Sequence, residues 1–489
     1  RDTTFGGILS RLVVENGRAT TELIGPPNPI VKPVAEALRQ KHQTSRPTDA
    51  ERLELAELET REFVKLPMEI AWTRGSGRAE ITIGGERVSL AQGEWSRWIP
   101  LAFRVNLFIT VHGMAQAYLI DAGDELKVYV SPVNFSPETP PVPMSSPAAF
   151  AGDLARRIGP YRTLGWAEAT WPLEENRIDE DVFMDDLYRA FDGRAQVILD
   201  RLTAGSWDLL VGVIESTDRV QHMMYRLIDP EHPLHDAELA KRHGDAILRV
   251  YRRADSFVAE VLEHLPPDTA LLIVSDHGFH TWRKAVNLNT WLVDNGYMTI
   301  QGQSEEKKLA DLFGGMASMQ NVDWSRTKAY AMGLGQIYFN LRGREAQGIV
   351  SPGAEYVALA DELDKKLRAS LVDPDTGQPI VSAVYKRDDV YHGEYIGNAS
   401  DLQVGFVDGY RVSWQTTLGE TAPGVVYAND RKWSGDHGGY DYKATAGILI
   451  SNRPLSTTAP RIIDIAPTVL QFYGVAPPPD LDGRPLYRR

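Results

Sequence analysis

The chain has 489 residues, 43% hydrophobic and 24% charged, which is the balance of a globular protein with a sizeable core and excludes a disordered one. Its formal net charge of −14 argues against a nucleic-acid binder, because an acidic protein repels polyanions at long range; an anionic small molecule stays possible, since bound cations invert the potential locally. There is no cysteine, so disulfides and thiolate metal sites are excluded and any metal must be held by Asp, His or Glu.

Residues 1 to 175 are mixed in character. Pro26, Pro27, Pro29 and Pro33 punctuate a loop, and Asp49 to Glu62, rich in Glu and Leu, reads as a short helix. From Ala79 to Asn134 apolar and polar residues alternate, with glycines at Gly84, Gly85, Gly93, Gly113 and Gly123, which predicts a meander of antiparallel strands. The stretch Ile99 to Ile120 is the best candidate for a membrane span, but Arg104, Asn106 and His112 interrupt it and it reads as successive strands. Pro137 to Pro147 reads as the exit linker of this region.

The pattern then changes. Phe183, Leu187, Phe191, Ala195, Ile198 and Leu202 recur at helical spacing. The apolar run Leu209 to Ile214 reads as a buried strand, Ala237 to His264 as a helix, Ala270 to Val274 and Gly447 to Ile450 as two more buried strands, and Ile462 to Phe472 as a closing helix with Pro467 in its first turns. Strand, helix and strand in that order predict an α/β fold with a mostly parallel central sheet flanked by helices. The segment from about 320 to 430 interrupts the order and reads as a second insertion. The expected organisation is a β-rich accessory region over 1–175 and a metal-binding core over 176–489.

Three clusters carry candidate chemistry, each at a strand end or in a loop that can reach one, where parallel α/β sheets place their functional loops. In Glu215-Ser216-Thr217-Asp218-Arg219-Val220-Gln221-His222, Asp218 and His222 are four apart, so a helix here puts both on one face; a capping acid at a helix start gives the same pattern. In Val274-Ser275-Asp276-His277-Gly278, a buried run enters Asp-His-Gly, where Gly278 permits the sharp bend that turns both side chains to one ion; the alternative is a strand-end turn with an incidental histidine. In Ser434-Gly435-Asp436-His437-Gly438-Gly439, glycines flank His437 and allow close approach to a ligand, as they would in a flexible loop. Together Asp218, His222, Asp276, His277 and His437 are five carboxylate and imidazole donors, suited to Zn²⁺ first and Mn²⁺ second. Five are too many for one catalytic ion with an open position and nearly enough for two.

The order Asp-x-x-x-His, Ser-Asp-His-Gly, Gly-Asp-His-Gly-Gly resembles the alkaline phosphatase superfamily, and within it the type I phosphodiesterase and nucleotide pyrophosphatase branch. The tail, Ile463-Asp464-Ile465-Ala466-Pro467-Thr468-Val469-Leu470 and then Asp480-Leu481-Asp482-Gly483-Arg484-Pro485-Leu486, is similar to the superfamily's ending. The resemblance spans about 178 to 489; residues 1 to 175 more loosely resemble an insertion of bacterial members. It implies an alkaline phosphatase-like core in which Asp218, His222 and His437 hold one metal and Asp276 and His277 the other. It also implies a second-metal aspartate and a nucleophilic Thr or Ser from an early strand and loop. No such strand ending in Asp-Gly precedes these clusters, and the surroundings of Thr3 and Thr4 do not match a nucleophile loop. With Arg1 rather than Met in first place and no signal-peptide pattern, we expect an N-terminal segment, on the same or a separate polypeptide, to complete the fold.

The expected function is metal-dependent hydrolysis of small-molecule phosphate esters, as a phosphodiesterase, nucleotide pyrophosphatase or phosphatase. A catalytically inactive metal-binding relative and a phosphomutase are the alternatives, and a sulfatase fits less well because that branch matures a cysteine. The compartment is open between bacterial cytoplasm and periplasm. Among other residues, His280 reads as capping a turn in preference to touching substrate, Asp436 as either orienting His437 or capping a loop, His232 and His235 as solvated, and Trp282, Trp291 and Tyr297 as core. Ser304-Glu305-Glu306-Lys307-Lys308 reads as a solvated helix start.

Overall fold

A computed structural model describes residues 8–11, 16–45, 47–204, 206–302, 304, 319–439 and 441–487. Thr3, Thr4 and the charged run from Glu305 to Lys308 lie outside them. The chain forms two compact units: Arg1–Arg219 with Val250–His264, and Val220–Arg249 with Leu265–Arg489.

In the first unit, the predicted meander gives Arg78–Ile83 and Glu86–Ala91 to a four-stranded antiparallel sheet completed by Arg18–Pro27 and Phe63–Trp72, and its later strands to two three-stranded antiparallel sheets. Alternation does what it should: Ile81, Ile83, Val88 and Leu90 are buried while their neighbours along the strands are more exposed. Gly84 and Gly85 both take positive φ, +57° and +96°, as a two-residue hairpin turn of this hand requires. The Glu- and Leu-rich segment is a helix, Asp49–Arg61, started by a reciprocal cap between Thr48 and Glu51. The long helix Glu180–Thr203 starts where the Asp179 carboxylate accepts from Val182 N–H, and it buries Phe183, Leu187, Phe191 and Ala195.

Leu209 to Ile214 differs from expectation. It forms no strand among the described residues, and Leu209, Val211 and Val213 are 53%, 75% and 60% exposed. Composition alone says that a run can be buried; burial also needs a partner, and no described strand pairs with this one.

In the second unit the central strand is His280–Val286. It pairs in parallel with Gly409–Val412 and antiparallel with Val426–Ala428 and Gly435–Asp436. Leu272–Val274 and Leu449–Ser451 form a separate antiparallel ribbon. A four-stranded antiparallel sheet, Ala329–Met332, Gln336–Phe339, Leu402–Phe406 and Val381–Lys386, lies in the region read as an insertion, and helix Ala354–Ser370 buries Leu359, Leu363 and Leu367. Helices and strands are thus mixed, as an α/β fold requires, but the described sheets are mostly antiparallel and a parallel-dominated central sheet is not seen. The strand-helix-strand order misled because 209–214 joins no ladder and 272–274 pairs with the distant 449–451 instead.

The helix expected over Ala237 to His264 is two, Ala237–His243 and Ala246–His264. They part at Gly244, where a Cβ would lie 2.5 Å from the Ala240 carbonyl oxygen. The tail motif is tied down by backbone contacts. Asp464 accepts from the N–H groups of Arg461 and Arg484, each at 2.8 Å, and Leu486 N–H donates to Thr468 Oγ1 at 2.8 Å. No helix among the described residues is long and apolar enough to cross a membrane.

Candidate metal centre

Helix Ser216–Met224 carries Asp218 in its first turn and His222 one turn later, as the four-residue spacing predicts. Its start is held by Ser216 Oγ, which donates to the buried Glu168 carboxylate at 2.7 Å; burial pushes that carboxyl up, opposed by Ser216 and Arg219. The Arg219 guanidinium is 2.5 Å from Asp218 and lies over the Trp166 ring at 4.1 Å.

His222 is buried, and its Nδ1 lies 2.7 Å from the Gly435 carbonyl oxygen. A carbonyl only accepts, so Nδ1 carries the proton and Nε2 is the lone-pair nitrogen. His277 repeats the arrangement, with Nδ1 donating to the Gly278 carbonyl at 3.1 Å. Its Nε2 lies 3.5 Å from Asp276 Oδ1. Two ligands at about 2.0 Å from one tetrahedral ion stand about 3.3 Å apart, so this pair fits a shared cation. The bend that turns both out depends on glycine: Gly278 N–H donates to the Thr445 carbonyl at 2.7 Å, and a Cβ on Gly278 would come within 2.7 Å of the Ala446 carbonyl oxygen.

His437 follows the two-residue strand Gly435–Asp436 and lies between the other two imidazoles. Its ring stacks on His277 with centroids 3.6 Å apart and planes at 7°, and its centroid is 5.2 Å from that of His222. Phe279 touches all three, with centroids 4.8 Å from His222, 5.6 Å from His277 and 5.1 Å from His437. Trp433 stacks on His222, with ring centroids 3.8 Å apart. Asp218, His277 and His437 are half-buried, while Asp276 is exposed.

Asp436 ties this loop together through both of its oxygens. It accepts from the N–H groups of His437 and Gly438 at 2.7 and 2.9 Å and from Trp433 Nε1 at 2.9 Å. Burial alone would push its carboxyl up, but the Arg411 guanidinium and the neighbouring imidazoles hold it down at about 2. His280 caps, as expected: Nδ1 meets Asp408 at 2.7 Å and Nε2 meets the Ala444 carbonyl. His232 corrects the expectation of a solvated loop. It is 3% exposed, because Leu234 N–H donates to its Nδ1 and folds the proline-bounded turn inward; His235 is half-buried, with Nδ1 on the Arg226 carbonyl. Trp282, Trp291 and Tyr297 are core.

Phe279, Trp433 and Arg411 were missed from sequence. Phe279 had a signal, being the aromatic that follows Asp-His-Gly; Trp433 and Arg411 had none.

Nitrogen donors with fixed tautomers, carboxylates beside them and no thiol make a donor set that fits a hydrolytic cation site. A sequence model of the family described as type I phosphodiesterase / nucleotide pyrophosphatase matches residues 129–441, well over half of the chain. The chain belongs to that family, whose members hydrolyse phosphoric esters and generally use divalent metals. No curated protein and no solved structure matches.

Proposed function

We propose that Asp218, His222, Asp276, His277 and His437 hold two divalent cations, Zn²⁺ by preference and Mn²⁺ second, and that the chain hydrolyses small-molecule phosphodiesters or nucleotide pyrophosphates. Residues 176–489 are the catalytic core in this proposal and residues 1–175 an accessory region. The supporting observation is the convergence of His222, His277 and His437 around Phe279, with two of the three presenting Nε2 because a backbone carbonyl holds Nδ1–H. Bound there, such cations offset the phosphate charge and stabilise negative oxygen. The chain's own residues do the rest. Carbonyls fix the imidazole tautomers, Asp436 sets the turn that carries His437, and Phe279 and Trp433 limit water around the nitrogens.

The nucleophile and a further carboxylate are proposed to come from an N-terminal segment. Two separate observations support this: the exposed run at Leu209, Val211 and Val213 in one unit, which pairs with no described strand, and exposed Val274 and Ile450 on the two-stranded ribbon of the other, with exposed Ile448 just before it. The test is hydrolysis of bis(p-nitrophenyl) phosphate and p-nitrophenyl phosphate by the product of the complete open reading frame, with Zn²⁺ and then with chelator. Diester cleavage lost on chelation and restored by Zn²⁺ is expected. Bound metal with neither ester cleaved would favour the inactive relative, and phosphoryl transfer between sugar hydroxyls without net hydrolysis the mutase.

A further inference from the structure

A carboxylate needed only to cap the turn before His437 would use one oxygen. Asp436 uses both. Oδ1 takes the N–H groups of His437 and Gly438, while Oδ2 takes Trp433 Nε1–H and lies 2.9 Å from Arg411 Nε. That last contact is an ion pair and not an aligned hydrogen bond. Asp436 and Arg411 are each 2% exposed, so this is a charge pair taken out of water. The Arg411 guanidinium lies between two indoles, 4.5 Å from the Trp282 ring and 4.4 Å from Trp414, and donates to the Val412 carbonyl at 2.7 Å. A buried ion pair is weak evidence for stability compared with apolar packing, so its contacts are better read for what they hold in place. Through Trp433, whose ring stacks on His222 at 3.8 Å, Oδ2 reaches the second imidazole. Ser434 adds a third link, its N–H donating to the His222 carbonyl at 2.6 Å.

We propose that Asp436 is a positioning residue that couples His222 to His437: Oδ1 sets the backbone of His437, Oδ2 sets the indole against His222, and Arg411 packs against Oδ2 to hold the carboxylate in place. This inference rests on the metal-site proposal above. The two imidazoles come from a helix and a strand end far apart in sequence, and a shared carboxylate makes their separation a property of one rigid group. An outer-shell partner of this kind typically contributes 10- to 100-fold in metal affinity.

The test measures Zn²⁺ affinity by competition with a chromophoric chelator for wild type, Trp433→Phe, Asp436→Asn and the double variant. Urea unfolding of the metal-free proteins runs alongside as the fold control. Trp433→Phe keeps an aromatic ring on His222 while removing Nε1–H with the second ring of the indole, and it leaves the Asp436–Arg411 pair intact, so it carries the test should Asp436→Asn fail to fold. Each single variant is expected to bind Zn²⁺ roughly 10- to 100-fold more weakly, Trp433→Phe with its urea midpoint near that of wild type and Asp436→Asn with a lowered one because it leaves the buried Arg411 guanidinium without its carboxylate, and the double variant is expected to bind no more weakly than the weaker single. Affinity within about twofold of wild type in Trp433→Phe overturns the coupling, as do losses that multiply in the double variant. Wild type that takes up no Zn²⁺ overturns the metal-site proposal itself, a different failure from a wild type that binds and variants that bind equally well.

Discussion

The imidazoles of His277 and His437 lie parallel, centroids 3.6 Å apart and planes 7° from each other. One ring leaves a strand through a glycine bend and the other follows a two-residue strand, so only the folded chain brings them together. Replacing either with Ala removes a donor and one face of the stack. We predict that His277→Ala and His437→Ala each lower Zn²⁺ affinity by more than the roughly 10- to 100-fold of an outer-shell loss. Equilibrium dialysis with metal analysis checks this, and unchanged metal content in both variants would remove these residues from the site.

Gly278 is a second point of attack, which carries no ligand atom itself but follows His277 and accepts from its Nδ1. A Cβ there meets a backbone oxygen at 2.7 Å, and backbone cannot swing aside as a side chain can. Gly278→Ala is predicted to destabilise the protein by about 1–3 kcal/mol through overpacking, and to weaken metal binding because the same bend aims Asp276 and His277. Thermal melting and Zn²⁺ titration read the two effects. A melting temperature and affinity equal to wild type would contradict the contact.

The buried His232 predicts a pH dependence. Burial lowers its pKa from the usual 6.5 to about 4, against the opposing pull of Asp229. Between those values the unfolded chain takes up a proton that the folded one does not, so stability is full above about pH 6.5 and falls as pH drops toward 4. The loss is on the order of 2 kcal/mol. Urea midpoints of metal-free protein from pH 7 to 4.5 should therefore fall more steeply for wild type than for His232→Gln. Equal slopes would show that His232 does not stay neutral.

Away from the site, Asp401 is fully buried and accepts from Arg344 at 2.6 and 3.1 Å and from Phe339 N–H at 2.6 Å. Asp401→Ala leaves the half-buried Arg344 guanidinium with Glu345 as its remaining carboxylate and the Phe339 N–H without its acceptor, which typically costs about 1–3 kcal/mol. Chemical denaturation should show a loss of that size, and a loss below about 1 kcal/mol would mean that water reaches Arg344 once the carboxylate is gone.

Much of this was legible because the signals are local. Asp218 and His222 share a helix face by spacing alone, the meander alternates every second residue, and Gly278 marks a bend that tolerates no side chain. What failed was non-local. Leu209 to Ile214 has the composition of a buried strand, yet burial depends on a partner that the run itself does not specify. Leu272–Val274 pairs antiparallel with a strand far along the chain, which the intervening helix gave no reason to expect. Arg411 is an unremarkable arginine in sequence and acquires its role only when Trp282, Trp414 and Asp436 close around it.

In the site proposed above, Asp218, His222, Asp276, His277 and His437 hold two cations. Zn²⁺ titration of the metal-free chain by calorimetry, with elemental analysis after dialysis, tests it most directly. We predict about two ions per chain in two unequal steps, with the tighter step lost in His222→Ala and the weaker, held by Asp276 and His277, retained. Fewer than one ion per chain, or a titration unchanged in His222→Ala, would contradict it.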